Sequence, residues 1–215
     1  MTATSRQKNI YTFIGLPASG KDTQAKELAL DLKTTVWGVG DLIREQISKN
    51  KDDIFIQQIE RRYDKGVPQP DHVAIELVKR KLEQADRDVV LSNFPFTLAQ
   101  ADFMTENITK LGFAQLVIIY IKVSPETSFA RATSRRVCLE CGAIYPISHK
   151  GDHCKCGAML QTRTDDDAKT VQKRITDYQK EIEIVTAYYR KKGSLIEIDG
   201  EKTIEAVRKE ILAKI

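Results

Sequence analysis

The stretch in which residue type and spacing speak most directly of chemistry is Gly15-Leu16-Pro17-Ala18-Ser19-Gly20-Lys21-Asp22-Thr23. Glycines at both ends let the backbone wrap an anion and aim its N–H groups at it. The lysine directly after the second glycine reaches the outer phosphates of a nucleotide, and a helix starting there adds the favourable end of its dipole. The usual form of such a phosphate loop carries Ser or Thr directly after the lysine, to meet Mg²⁺. Here Asp22 takes that place and Thr23 comes one residue later. The plain alternative is a glycine-bearing strand-to-helix turn with no ligand.

A second set of candidates is cationic. Arg131 and Arg135 stand at i and i+4, on one face of a helix, and Arg163 and Arg174 flank the far side of the segment that follows. Phosphoryl transfer needs two phosphates held in line and the spreading negative charge neutralised, which the planar, permanently charged guanidinium does well. Taken singly, each arginine reads equally as a solvated helix residue paired with a carboxylate.

A third set is metal-ligating. All four cysteines lie between Cys138 and Cys156. Cys138-Leu139-Glu140-Cys141-Gly142 has the form of a zinc knuckle, two thiolates three apart with a glycine for the tight turn. The second half, His153-Cys154-Lys155-Cys156-Gly157, is less regular, with twelve residues between Cys141 and Cys154. Thiolate preference favours Cys138, Cys141, Cys154 and Cys156; knuckle geometry favours His153 in place of Cys154. Either set fills four positions, leaving none for a metal-bound water, so the Zn²⁺ would be structural. A lid of about 27 residues cannot build a core, and a metal substitutes for one. Reduced thiols without metal and a nucleic-acid-binding ribbon are the competing readings.

These groups need a scaffold. Short apolar runs alternate with helical patterns: Asn9–Gly15, Thr35–Trp37, Val89–Leu91, Leu116–Val123 and Ser194–Ile198 read as strands. Asp22–Lys33, His72–Gln84, Leu98–Leu111, Pro125–Arg135, Asp165–Lys192 and Lys202–Ile215 read as helices. Leu116–Val123 is continuously apolar, as in a strand buried on both faces. The alternation predicts an α/β fold with a five-stranded parallel sheet between helical layers. Asp41–Lys65, helix-rich and charged, and Val137–Arg163, with Gly142, Pro146, Gly151 and Gly157, break the alternation. Both read as insertions over the ligand end of the sheet. The expected layout is a single domain over 1–215: core 1–38, 66–136 and 164–215, insertion 39–65 and lid 137–163.

Composition narrows the class. With 215 residues, 41% hydrophobic and 30% charged, the chain suits a soluble globular domain. A formal net charge of +4 does not point to nucleic acid as the main partner. No run approaches a membrane span, the apolar segment Ile10–Ile14 is too short for a signal peptide, and thiols crowded at one site suit the cytoplasm, where we expect the protein to act.

The phosphate loop, read as Gly-x-Pro-x-x-Gly-Lys-x-Thr-Gln-Ala, resembles that of the adenylate kinase family, and the resemblance runs the length of the chain. Gly40-Asp41-Leu42-Ile43-Arg44, Gly66 through Asp71, Phe94-Pro95 with Gln100-Ala101-Asp102, Arg131-x-x-x-Arg135-Arg136, Arg163-x-Asp165-Asp166 and Asp199-Gly200-x-Lys202 follow in family order. The resemblance implies a P-loop sandwich with a helical acceptor insertion and a small zinc-binding lid. It implies reversible transfer from Mg-ATP to a nucleoside monophosphate, AMP foremost, by a monomer. Gly15, Pro17, Ala18, Ser19, Gly20, Lys21, Asp22, Thr23, Arg131, Arg135 and Lys202 would bind ATP. Lys21, Arg135, Arg163 and Arg174 would be catalytic. Val39, Gly40, Arg44, Gln69, Asn93, Phe96, Gln100, Arg163 and Arg174 would line the acceptor site, with Gln100 reading the adenine edge. Asp165 and Asp166 resemble the lid-hinge carboxylates.

Four positions depart from the family pattern. Asp22 stands where Gly is usual, Ser92 where Asp organises waters around Mg²⁺, Asn93 where Gly is usual, and Phe96 where an arginine holds the acceptor phosphate. Donor residues are thus largely retained and acceptor residues altered. The two other readings that follow are an ATP-binding protein with weak or no turnover, and a kinase for a different acceptor.

Overall fold

The computed structural model describes residues 7–49, 54–64, 69–146, 149–163 and 166–215. Five parallel strands form the central sheet: β1 (Lys8–Ile14), β2 (Val36–Gly38), β3 (Val89–Ser92), β4 (Phe113–Lys122) and β7 (Leu195–Asp199), in the order β2-β3-β1-β4-β7. β1 is central, with Ile10 opposite Val89 on one side and Leu116 on the other. β5 (Arg136–Val137) and β6 (Ile144–Tyr145) make a separate antiparallel pair.

The strands are apolar on both faces because helices cover both. Phe13, Val90, Ile119, Ile121 and Ile198 pack against Ala25, Leu28 and Ala29 of α1 (Lys21–Asp31) and Val207 and Ile211 of α8 (Ile204–Lys214). The opposite face, with Ile10, Val89 and Leu91, packs on α4 (Asp71–Glu83) and α5 (Leu98–Asn107). The same core takes in Leu42 and Ile43 of α2 (Val39–Lys49) and Ile56 and Ile59 of α3 (Ile54–Asp64). The segment expected to be helix-rich is therefore two helices anchored on the core. α6 (Pro125–Ser134) and the 24-residue α7 (Ala168–Lys191) pack around Leu16, Val123 and Ala132, and the hydroxyl of Tyr189 on α7 donates to the Ala101 carbonyl at 3.2 Å.

Helix starts follow capping chemistry. Thr97, Ser124, Asp167 and Thr203 each accept backbone N–H bonds at the starts of α5, α6, α7 and α8. Asp167 caps α7, so this helix opens at Ala168, later than the Asp165 expected from the pattern. α1 begins at Gly20 (φ 98°) with no side-chain cap, so its first N–H groups are left for something else. Asp165, Gly66 and the last residue of the expected insertion, Lys65, lie outside the described residues.

Candidate phosphoryl-transfer site and cysteine cluster

The phosphate loop links the C-terminal end of β1 to α1. A Cβ on Gly15 would fall 2.6 Å from the Ile121 carbonyl oxygen and 2.7 Å from Ser19 Oγ, so this turn admits only glycine. Ala18 (φ 54°) and Gly20 take left-handed backbone conformations, and Pro17 offers its carbonyl to the buried Ser128 hydroxyl at 2.6 Å, which ties the loop to α6. Among the described residues, the buried Ser19 hydroxyl has no hydrogen-bond partner. An uncapped helix start, an orphaned hydroxyl and the buried Lys21 on one loop are the donor set an anion needs.

Asp22 sits beside Lys21, its Oδ2 3.4 Å from the lysine Nζ, and its Oδ1 accepts from the Ser92 hydroxyl at the end of β3. Burial works to raise the Asp22 carboxyl, but the Lys21 ammonium, the Ser92 hydroxyl and the Arg135 charge outweigh it and hold it below the usual range. Thr23 follows on the first turn of α1.

The arginines converge through one acid. Arg135 donates from Nε and Nη2 to both oxygens of Asp166 at 2.7 and 2.8 Å, with both side chains nearly sealed from solvent. Arg174 Nη1 stands 3.7 Å from the same carboxylate. Asp166 is thus the bracket that holds two of the predicted phosphate-clamping arginines together. Arg163 is exposed just before α7, and its carbonyl accepts from the Asp166 N–H at 3.1 Å. Arg131 donates to the Gly200 carbonyl at 3.0 Å. That joins α6 to the Asp199–Lys202 turn, where a Cβ on Gly200 would lie 2.7 Å from Ile121 Cγ2. Lys202 directs its ammonium to Glu210 at 2.9 Å and Asp199 at 3.8 Å, which raises its pKa.

On the acceptor side, Val39 and Gly40 open α2 and Arg44 pairs with Asp41 one turn away. Gln69 donates to the Ile59 carbonyl at 2.9 Å, while its buried Oε1 has no partner among the described residues. Asn93 (φ 58°) donates its N–H to the Phe13 carbonyl at 2.9 Å. Gln100 is buried in an internal network: its Oε1 accepts from the Phe96 N–H at 2.8 Å and its Nε2 donates to Asp71 at 2.7 Å. Asp71 also accepts from Thr97 Oγ1 at 2.8 Å. Phe96 packs its ring on Tyr178 of α7, with centroids 4.5 Å apart and planes inclined by 52°.

Sequence reasoning missed Tyr178, Asp71 and the Ser92–Asp22 bond. Tyr178 could have been found, since it lies four residues after Arg174 on the same helical face. Asp71 closes a quoted motif but gives no sign of its partners.

The four cysteine sulfurs lie within 4.8 Å of one another, on and around the β5–β6 hairpin. Cys138 Sγ is 3.5 Å from Cys156 Sγ, and Cys141 Sγ is 3.4 Å from Cys154 Sγ. His153 is exposed and, among the described residues, is not part of the cluster. The Tyr145 hydroxyl donates to Cys154 at 3.3 Å. The Cys156 backbone N–H, with Tyr145 next, holds the Cys154 thiol down to about 6. Four convergent sulfurs suit a thiolate-binding ion such as Zn²⁺.

Comparison with known proteins identifies the family. The adenylate kinase family model matches residues 13–194. An adenylate kinase of Archaeoglobus fulgidus is 38% identical over 208 residues, spanning 94% of this chain and 95% of the relative. An adenylate kinase of Caldanaerobacter subterraneus subsp. tengcongensis is 34% identical over 92% of each chain, and one of Desulforamulus reducens is 35% identical over 94% of this chain and 97% of its own. A match that spans phosphate loop, arginines and cysteine hairpin alike places the chain in the adenylate kinase family of nucleoside monophosphate kinases.

Proposed function

We propose that the protein transfers the terminal phosphoryl group of Mg-ATP reversibly to a nucleoside monophosphate, with AMP as first acceptor. The observation that carries this is the phosphate loop: an uncapped α1 start, the orphaned Ser19 hydroxyl and buried Lys21, set opposite arginines bracketed by Asp166. An acceptor phosphate oxygen attacks the γ-phosphorus as the bond to the β-phosphate oxygen breaks, leaving ADP on both sides. Lys21 and the loop N–H groups hold the β- and γ-phosphates, while Arg135, Arg163 and Arg174 take the charge that spreads over the transferring oxygens. Arg131 and the turn at Gly200 flank the adenosine of ATP; Val39, Gly40, Arg44, Gln69, Asn93, Phe96 and Gln100 form the acceptor side. The oxygens of Asp22, oriented by the Ser92 hydroxyl, and of Thr23 are hard donors that would suit Mg²⁺, which when bound would neutralise phosphate charge and align the groups.

The insertion 39–65 and the lid 137–163 close over the cleft and exclude water. The four-sulfur cluster supports Cys138, Cys141, Cys154 and Cys156 as the zinc set, and Zn²⁺ would fix the lid's shape without entering the reaction. We further propose a monomer acting in the cytoplasm, a reducing compartment that suits thiolate ligands.

Phe96 on Tyr178 favours a second reading. An aromatic pair at the position resembling the acceptor-phosphate arginine supports either weak AMP turnover on a sound ATP site or another acceptor. A coupled assay of ADP formation from Mg-ATP, with AMP, GMP, CMP and UMP offered separately, distinguishes them. Selective turnover with AMP is expected. No turnover with any of the four, alongside ATP binding, would overturn the kinase reading in favour of a non-catalytic protein.

A further inference from the structure

Asp22 and Ser92 together hold an answer to where the magnesium carboxylate of this site has gone. In phosphate-loop enzymes the ion is met by the residue directly after the loop lysine and by an acid at the end of a neighbouring strand. Here the strands beside β1 end without an acid, β3 in Ser92 and β4 in Lys122, and β2, beyond β3, ends in Gly38. β7 ends in Asp199, but that strand is two places from β1, and its carboxylate accepts from the Glu201 N–H at 3.0 Å and faces Lys202. Asp41 pairs with Arg44, and Asp166 is engaged by Arg135 and Arg174. Asp22 occupies the position directly after the lysine, where the metal-facing hydroxyl normally stands.

The Ser92 hydroxyl, buried at the end of β3, donates to Asp22 Oδ1, and the register of β3 beside β1 (Phe13 opposite Ser92) puts it there. Asp22 itself is partly open, its side chain 45% exposed, beside Lys21. The strand-end group therefore no longer faces the ion as an acid; it orients an acid supplied by the helix.

We propose that Asp22 is the carboxylate that holds the water shell of the nucleotide-bound magnesium, with Ser92 as its positioning residue. The acid has moved from the end of β3 to the first turn of α1 while its place in the cleft is kept. This rests on the ATP-site reading above.

The test is ATP binding by calorimetry on the full chain, once with excess magnesium and once with EDTA, the ratio of the two dissociation constants being the readout. Asp22→Asn keeps shape and the acceptor for Ser92 but loses charge. It should lower the magnesium advantage by about tenfold or more, while metal-free ATP binds as well or better because a negative charge has left the loop. The exchange Asp22→Gly with Ser92→Asp, which returns the acid to the strand, should restore the advantage to within about threefold of the wild type. A magnesium advantage within about threefold of wild type in Asp22→Asn would overturn the proposal and leave Asp22 a first-turn helix acid. Wild-type protein that binds ATP in neither condition would instead overturn the ATP-site reading itself.

Discussion

Asp166→Asn removes one negative charge and almost no volume, and the arrangement around it sets the expected cost. Two charge-assisted bonds at 2.7 and 2.8 Å end on this carboxylate, with Arg174 at 3.7 Å. Asparagine can keep one of the two bonds to Arg135, with a neutral acceptor in place of the carboxylate. The larger loss is that the Arg135 guanidinium, whose side chain is 8% exposed, loses the counter-charge that Asp166 gives it. Breaking a buried pair from one side costs about 3–5 kcal/mol. For 215 residues unfolding entropy near Tm converts that into a fall of about 7–11 °C. The assay is thermal unfolding by circular dichroism without nucleotide. Saturating ATP should recover part of the loss, because its phosphates return negative charge to Arg135. Arg135→Met with Asp166→Leu should cost less than Asp166→Asn, since the most buried guanidinium leaves together with its acid and only the more open Arg174 loses a partner. A fall below about 2 °C for Asp166→Asn would refute the bracket as an energetically coupled unit.

Other expectations follow from the same geometry. Phe96→Arg, which exchanges the Tyr178 contact for a guanidinium, should tighten AMP by about one to two decades, the worth of a charged hydrogen bond; an unchanged KM for AMP would sink the acceptor-side reading. Cys154→Ser should remove bound zinc and lower Tm sharply whereas His153→Ala should do neither, and metal analysis showing about one zinc per chain in the wild type checks the site. Gly15→Ala should destabilise by about 1–3 kcal/mol and weaken ATP binding, because its Cβ would meet the Ile121 backbone oxygen rather than a flexible side chain. Asp22 titrates lower in the folded chain than unfolded, so its contribution to stability is present above about pH 4 and is lost as pH falls through the folded value. The Tm gap between wild type and Asp22→Asn should therefore narrow in acid, and a gap that stays constant with pH would contradict this.

Much of the fold is legible because local pattern and tertiary role agree. The apolar run in β4 and the strand-loop-helix at Gly15–Thr23 announce a buried parallel sheet with a phosphate loop, and the structure carries both. What stays hidden is pairing across distance. Nothing in the neighbourhood of Ser92 says that its hydroxyl meets a carboxylate seventy positions earlier. Nothing near Gln100 says that its amide closes on Asp71. Asp166 reads as a first-turn helix acid, yet it is buried on two arginines, while its neighbour Asp167 does the capping. Ile56 and Ile59 of α3 join a core built from α4 and β3, a tertiary effect that helical periodicity does not carry.

The central place of β1 has a consequence for biosynthesis. Its two neighbours, β3 and β4, end at Ser92 and Lys122, so β1 has no sheet partner until β3 is made and lacks its second until β4 follows. At ribosomal speeds of about 5–20 residues per second, the turn after β1 waits roughly 5–20 s between its own synthesis and that of the last strand that flanks it. Until β3 is made the nascent chain presents a largely apolar NIYTFI segment with unpaired backbone, the kind of exposed edge that holdase chaperones shield. The loop that follows β1 thus gains its full sheet surroundings only after β4 has been made.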